Sequence, residues 1–263
     1  MENKMDTLED LVRIIRILRS ENGCPWDKVQ THASIRMDML EEAYEAADAI
    51  DKKDMKNLCE ELGDVLMQVV FHAEIETEQG GFTMADVIQG ICEKMVYRHP
   101  HVFGSGKADT AEEVLINWEE LKKKEKRQET QTEVMKNVPE ALPALIRARK
   151  VQKKAADVGF DFPVTEDAMQ KVYEEVQELE QAVRENGEIE EEFGDILFAL
   201  VNISRFLKIN PEFALTKAIK KFINRFEYIE KSALSEGKAL SEMSLEEMDL
   251  LWDEAKIKLN PMQ

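Results

Sequence analysis

Glycine and proline are scarce in this 263-residue chain, 11 and 7 respectively, and they gather at a few points: "ENGCPWD", "EQGG", "RHPHVFGSGKAD", "NVPEALP", "VGFDFP" and "INPE". Between those points almost nothing alternates polar and apolar residues as a half-buried strand must. The pattern excludes a β-rich fold and predicts an all-α chain whose helices stop at the Gly and Pro clusters. Cysteine is equally sparse. Cys24, Cys59 and Cys92 are far apart with no C-x-x-C pair, which argues against structural disulfides and a thiolate zinc site and leaves them expected as small core residues. No apolar run approaches the ~20 residues needed to span a bilayer. The opening "MENKMDTLEDLVRIIRILRS" is amphipathic and acid-containing, unlike the apolar core of a signal peptide, so a cytoplasmic location and no membrane partner are expected. A Walker loop and a G-x-G-x-x-G turn are both absent, so any phosphate must be held by side chains and metal.

Positive charge is short as well. Against 54 acidic residues stand 35 Lys and Arg, a net charge of −19, which argues against a nucleic-acid binder because counterion release needs clustered cations. A phosphorylated ligand stays open, since carboxylates can present Mg²⁺ to it. Composition, 43% hydrophobic and 34% charged, is that of a globular protein long enough for two domains. The charged stretch "ELKKKEKRQETQTEVMKNVPEALP" reads as a helix end and a solvated linker. It places a boundary near residues 128–140, between domains 1–130 and 136–263.

What the chain does hold is a repetition. "EEAYE" (Glu41 to Glu45) is answered by "EEVQE" (Glu174 to Glu178), and "EELGDVL" (Glu60 to Leu66) by "EEFGDIL" (Glu191 to Leu197). "KMVYR" (Lys94 to Arg98) is answered by "KFINR" (Lys221 to Arg225), and "WEELK" (Trp118 to Lys122) by "WDEAK" (Trp252 to Lys256). Four matches in one order point to an internal duplication.

Residues three apart on a helix share a face. Glu175 with Glu178 therefore makes one acidic edge, and Glu192 with Asp195 another. The "RENGE" between them is a turn signal, and helices so closely linked pack antiparallel, which sets four carboxylates around one spot. A hard divalent cation is the natural occupant. For a single Glu pair a solvated face is the better explanation. Asp195, however, follows Gly194 and leads into the apolar "ILFALVN", and the whole pattern recurs at Glu42, Glu45, Glu61 and Asp64. Lys221 and Arg225, like Lys94 and Arg98, share a face and suit phosphate oxygens. Trp252 either stacks on a base, with Lys256 adding a cation, or anchors a core. His32, His72, His99 and His101 do not form a convincing zinc set: "HPH" reads as a turn, and His72 continues an apolar helix face.

On these residues the sequence resembles the MazG family of all-α nucleoside triphosphate pyrophosphohydrolases. E-E-x-x-E followed by E-x-x-D occurs twice, as Glu41, Glu42, Glu45 with Glu61, Asp64, and as Glu174, Glu175, Glu178 with Glu192, Asp195. "NGCPWDKVQTH" and "RHPHVF" resemble the long, two-domain members. The resemblance implies a four-helix-type core completed by homodimerisation, dependence on Mg²⁺, and cleavage of NTPs to NMP and pyrophosphate with broad base tolerance. It implies catalysis in the C-terminal copy, with metal on Glu175, Glu178, Glu192 and Asp195, and a mainly structural N-terminal copy. It further implies an ATP-binding pocket lined by Lys171, Val172, Tyr173 and Glu174, by Glu188, Ile189, Glu190 and Glu191, by Lys221, Phe222, Ile223, Asn224 and Arg225, and by Trp252, with Lys256 on phosphate. Either Glu174 or Glu191 would order the attacking water. The alternatives are a nucleotide sensor without turnover and a helical scaffold whose acidic faces only keep it soluble.

Overall fold

The computed structural model describes residues 5–125 and 130–259 of the chain. Among them the regular structure is entirely helical, as the punctuation of the sequence predicts. The chain divides into two compact units at Lys122/Lys123, a few residues before the expected linker. Residues 126–129 of that linker lie outside the described residues. The remainder is less solvated than its charge suggests, because Val134 and Val138 are buried.

The first unit carries α1 (Leu8–Arg19), α2 (Arg36–Lys52), α3 (Met55–Glu78), α4 (Met84–Arg98), the single turn α5 (Pro100–Phe103) and most of α6 (Ala111–Glu125). Its starts are written in the sequence. Thr7 and Asp10 form a capping box at α1, Thr83 and Asp86 another at α4, and Asp54 caps α3 by accepting from the backbone N–H groups of Lys56 and Asn57. Each cap satisfies donors that the first helical turn leaves without partners. The core gathers Ile15, Ile35, Val70, Phe71, Ile75 and Met84. Two bidentate ion pairs pin α1 to α3: Arg16 to Glu74 at 2.9 and 3.0 Å, and Arg19 to both oxygens of Glu78 at 2.8 Å.

The second unit carries α7 (Gln131–Lys136), α8 (Ala144–Ala156), α9 (Thr165–Glu185), α10 (Ile189–Phe206), α11 (Pro211–Ser235) and α12 (Leu245–Leu259). The α9–α10 hairpin is the counterpart of α2–α3, and its turn is the "RENGE" segment. Asn186 closes α9 in the left-handed region (φ 52°), a conformation Asn tolerates better than most side chains. Lys53 does the same at the end of α2 (φ 57°). The last repeated pair also meets in space. Arg98 lies 5.5 Å over the Trp118 ring, and Arg225 lies 5.4 Å over the Trp252 ring. The cysteines differ from expectation: Cys59 on α3 and Cys92 on α4 are exposed, off the packed faces of those helices, and Cys24, in the loop after α1, is half-buried.

Candidate functional site

In each unit the helical hairpin brings its carboxylates together. Ligand oxygens of Glu175, Glu192 and Asp195 all lie within 4.8 Å of one another, as do those of Glu42, Glu45 and Glu61 in the first unit. Glu175 comes from the middle of α9, while Glu192 and Asp195 sit in the first turns of α10, where the helix dipole favours negative charge. Glu178, one turn beyond Glu175, is exposed. Its carboxyl is pushed above the usual carboxylate range, first by a hydrogen bond shared with Glu175, then by desolvation and the Glu175 charge. In the first unit Glu42 is pushed up by desolvation and by the charges of Asp64, Glu45, Glu61 and Asp38. Glu61 is pushed up by desolvation and the Glu45 charge.

Glu175 is buried, with only 6% of its surface exposed, and a buried carboxylate needs a positive partner. Lys171 provides one. Its ammonium sits 2.7 Å from Glu175 Oε1 and 2.7 Å from Glu174 Oε1, and these two contacts hold the Lys171 pKa well above its ordinary value. An all-oxygen donor set with one buried member, already balanced by a tethered cation, fits a hard divalent ion.

The carboxylates adjoin a cavity of about 540 Å³ inside the second unit. Lys171, Glu175 and Asp195 belong to its wall, together with Phe160, Phe162 and Phe198. The loop between α8 and α9 contributes Phe160 and Phe162, and Gly159 at φ +86° gives that loop a turn that side chains rarely adopt. Asp161 from the same loop is clamped to Arg205 on α10 at 2.6 Å. Arg205 also donates to Asn202 Oδ1 at 2.6 Å. Gln152 on α8 is 6% exposed; its Nε2 donates to the Phe198 carbonyl at 2.7 Å, while its Oε1 is buried without a partner.

The other expected pocket residues fall into three groups. Val172 and Tyr173 stand on α9 beside Lys171, with Tyr173 exposed, and Glu188, Ile189, Glu190 and Glu191 form the exposed mouth of the hairpin. Lys221, Phe222, Ile223 and Asn224 are exposed along α11. Trp252 on α12 packs against Phe222 at 5.2 Å and beneath Arg225, so within one chain it ties α12 to α11. Lys256 is paired with Asp253 at 2.8 Å. None of these α11 and α12 residues lines the cavity. In the first unit His72 is half-buried, stacked on His32 and sharing a 2.7 Å contact with it. The cavity residues Gln152, Phe160, Phe162, Asn202 and Arg205 were not singled out from sequence. The local signals for them were "VGFDFP", read only as a helix stop, and "ILFALVN", ending at Asn202 and read only as an apolar run.

Comparison with known proteins agrees with this geometry. The family described as the MazG nucleotide pyrophosphohydrolase domain matches twice, over residues 30–103 and 165–230. Each match covers one carboxylate hairpin. A protein of Thermotoga maritima named nucleoside triphosphate pyrophosphohydrolase/pyrophosphatase MazG is 45% identical, over 94% of this chain and 95% of its own length. The Escherichia coli K12 nucleoside triphosphate pyrophosphohydrolase is 43% identical over 96% of this chain and 98% of its own. YabN of Bacillus subtilis is 54% identical over 92% of this chain but half of its own length. With both hairpins matched and relatives aligned nearly end to end, the chain belongs to the MazG family.

Proposed function

We propose that this protein hydrolyses nucleoside triphosphates to the monophosphate and pyrophosphate, with Mg²⁺ as cofactor and with broad tolerance of the base, in the cytosolic nucleotide pool. The observation that carries this reading is the three-carboxylate cluster on α9 and α10, one member buried and matched by a lysine. The printed names of the relatives support the same activity. Glu175, Glu192 and Asp195 would hold the ion, with Glu178 beside them. Bound there, it supplies charge neutralisation for the phosphate chain and acidifies water at neutral pH.

The chain's own residues do the rest. Lys171 exchanges its carboxylate partners for phosphate oxygens once the cluster is otherwise neutralised. Glu174 and Glu191 flank the metal ligands on their own helices, so either can take the proton of the attacking water. Burial of Glu175 keeps the cluster rigid, which favours accurate placement. Lys221, Arg225 and Lys256 supply further positive charge on α11 and α12.

A homodimer is part of the proposal. In the single chain α10 exposes Phe193, Leu197 and Leu200, and α11 exposes Ile219, Phe222 and Ile223. These residues recur at three- to four-residue spacing, so each set is an apolar stripe of the kind that packs against another helix. Light scattering should give twice the chain mass.

The deciding experiment measures products from the eight common NTPs and dNTPs, with Mg²⁺ and with chelator. Monophosphate and pyrophosphate are expected, lost on chelation. Absence of pyrophosphate from all eight at saturating Mg²⁺ overturns the reading in favour of a sensor.

A further inference from the structure

We infer that the second unit carries a further anion site, separate from the carboxylate cluster, in which Arg149 and Lys153 of α8 and Arg205 of α10 hold a free phosphate or pyrophosphate. Nothing in this site depends on the activity proposed above. It arises from a local shortage of acid in a chain otherwise full of it. The helix α8, "ALIRARKVQKKAA", carries Arg147, Arg149, Lys150, Lys153 and Lys154 and no carboxylate. Arg147 is paired with Glu140 and Lys154 with Asp157. Among the described residues Arg149 and Lys153 have no ion-pair or hydrogen-bond partner. The first unit treats its leading helix differently. There Arg16 of α1 is bonded to Glu74 of α3. Glu74 stands ten residues after Asp64, and ten residues after Asp195 stands Arg205. Where the first unit sets a carboxylate, the second sets a third cation.

The three cations meet at a second, smaller cavity of about 270 Å³, lined by Arg149, Lys153, Asp161, Arg205 and Phe206. Asp161 is the one carboxylate in that wall, and it is committed to Arg205 at 2.6 Å. Three cations against one carboxylate leave an excess that a dianion would neutralise. Two of the three are fixed beforehand. Arg205 is held by Asp161 and by Asn202 Oδ1. Arg149 is half-buried, with its Nε shut away from solvent. Little side-chain freedom is therefore lost when an anion binds. Guanidinium forks with an added ammonium point charge suit the oxygens of phosphate, and the cavity is of a size for a small polyanion, below that of most whole-nucleotide pockets.

The test is calorimetric titration of the full chain with pyrophosphate in metal-stripped, low-salt buffer, where the carboxylate cluster repels the ligand. A single saturable site per chain is expected. Arg149→Gln and Lys153→Gln should each weaken binding about tenfold, the scale of one charge-assisted contact, and added salt should weaken it further. Lys150→Gln, on the same helix but outside the cavity wall, should change Kd by less than about twofold. Metal-free ATP separates the two sources of such a group. Pyrophosphate binding at least as tightly as ATP assigns the free anion, and tighter ATP, equally sensitive to Arg149→Gln, assigns a nucleotide's terminal phosphates; both uphold the site. Absence of binding by either ligand, equal losses in Lys150→Gln and Lys153→Gln, or a loss confined to Lys171→Gln overturns it. Lys153 is exposed, so Lys153→Gln keeps the test decisive if Arg149→Gln does not fold.

Discussion

The two units carry the same carboxylate hairpin, yet they surround it differently. One turn before Glu175 stands Lys171, and one turn before Glu42 stands Asp38. The second unit therefore balances its cluster, whereas Asp38 adds to the charges that push Glu42 up. One turn after Asp195 comes Ala199, on the cavity wall; one turn after Asp64 comes Gln68, buried. Two turns on, Asn202 faces the cavity, while Phe71 fills the core. The first unit thus puts side-chain volume where the second keeps space, and it locks α1 to α3 with Arg–Glu pairs. The pairing of acids alone does not make a site. The lysine countercharge and the adjoining cavity accompany the second cluster, and these features support the role proposed for it.

Breaking this contrast should have graded effects. The largest is expected from the ligands themselves. Glu175→Gln should lower pyrophosphate release at least ~100-fold, the scale of losing a metal-held charge, while Glu42→Gln should leave it within about twofold of wild type, given a structural first unit. Equal losses would mean that both copies turn over substrate. Next comes Lys171→Asp, which gives the second unit the first unit's residue. It should cost about tenfold in kcat/KM, as expected for one charge-assisted contact, and the loss should appear at saturating Mg²⁺.

Stability should respond in the opposite unit. Arg19 keeps only 3% of its side chain exposed, so Glu78→Ala leaves a buried cation short of its partner. Because Glu78 is itself half-exposed, the cost should be about 2 kcal/mol, below the full price of a buried pair. Urea unfolding of the metal-free protein measures it. The smallest effect follows from Glu42. Its pKa is raised in the folded protein, so the folded state binds that proton more readily than the unfolded chain, and stability falls as pH rises through the raised value. The deficit is full at neutral pH and absent below the ordinary carboxylate range. Glu42→Gln should therefore raise the metal-free Tm slightly at pH 7 and not at pH 4, and a gain at both would point to packing instead of charge.

Much of this was legible in the sequence, for identifiable reasons. Helical spacing and Gly/Pro punctuation are local, and the α9–α10 turn, its Asn186 and its carboxylates lie within one short stretch. The Arg–Trp pairs were visible as repeats, though not as contacts. The cavity was not legible, because Gln152, Phe160 and Asn202 come from α8, a loop and α10, and none is unusual alone. Asp161 and Arg205 meet only once α8 and α9 have closed on α10. Cys59 and Cys92 misled for a related reason: a small apolar side chain carries no sign of which helix face it occupies until the packing is known.

Lys171 is tied to the same helix as the carboxylate it neutralises, so the second unit carries a built-in stand-in for the ion proposed to bind there. With that ammonium in place the proposed ion is not needed to keep the carboxylates together, and the unit should fold in metal-free buffer. Chelation should then switch such a protein off without melting it, leaving a finished scaffold that needs only one flexible arm to swing aside.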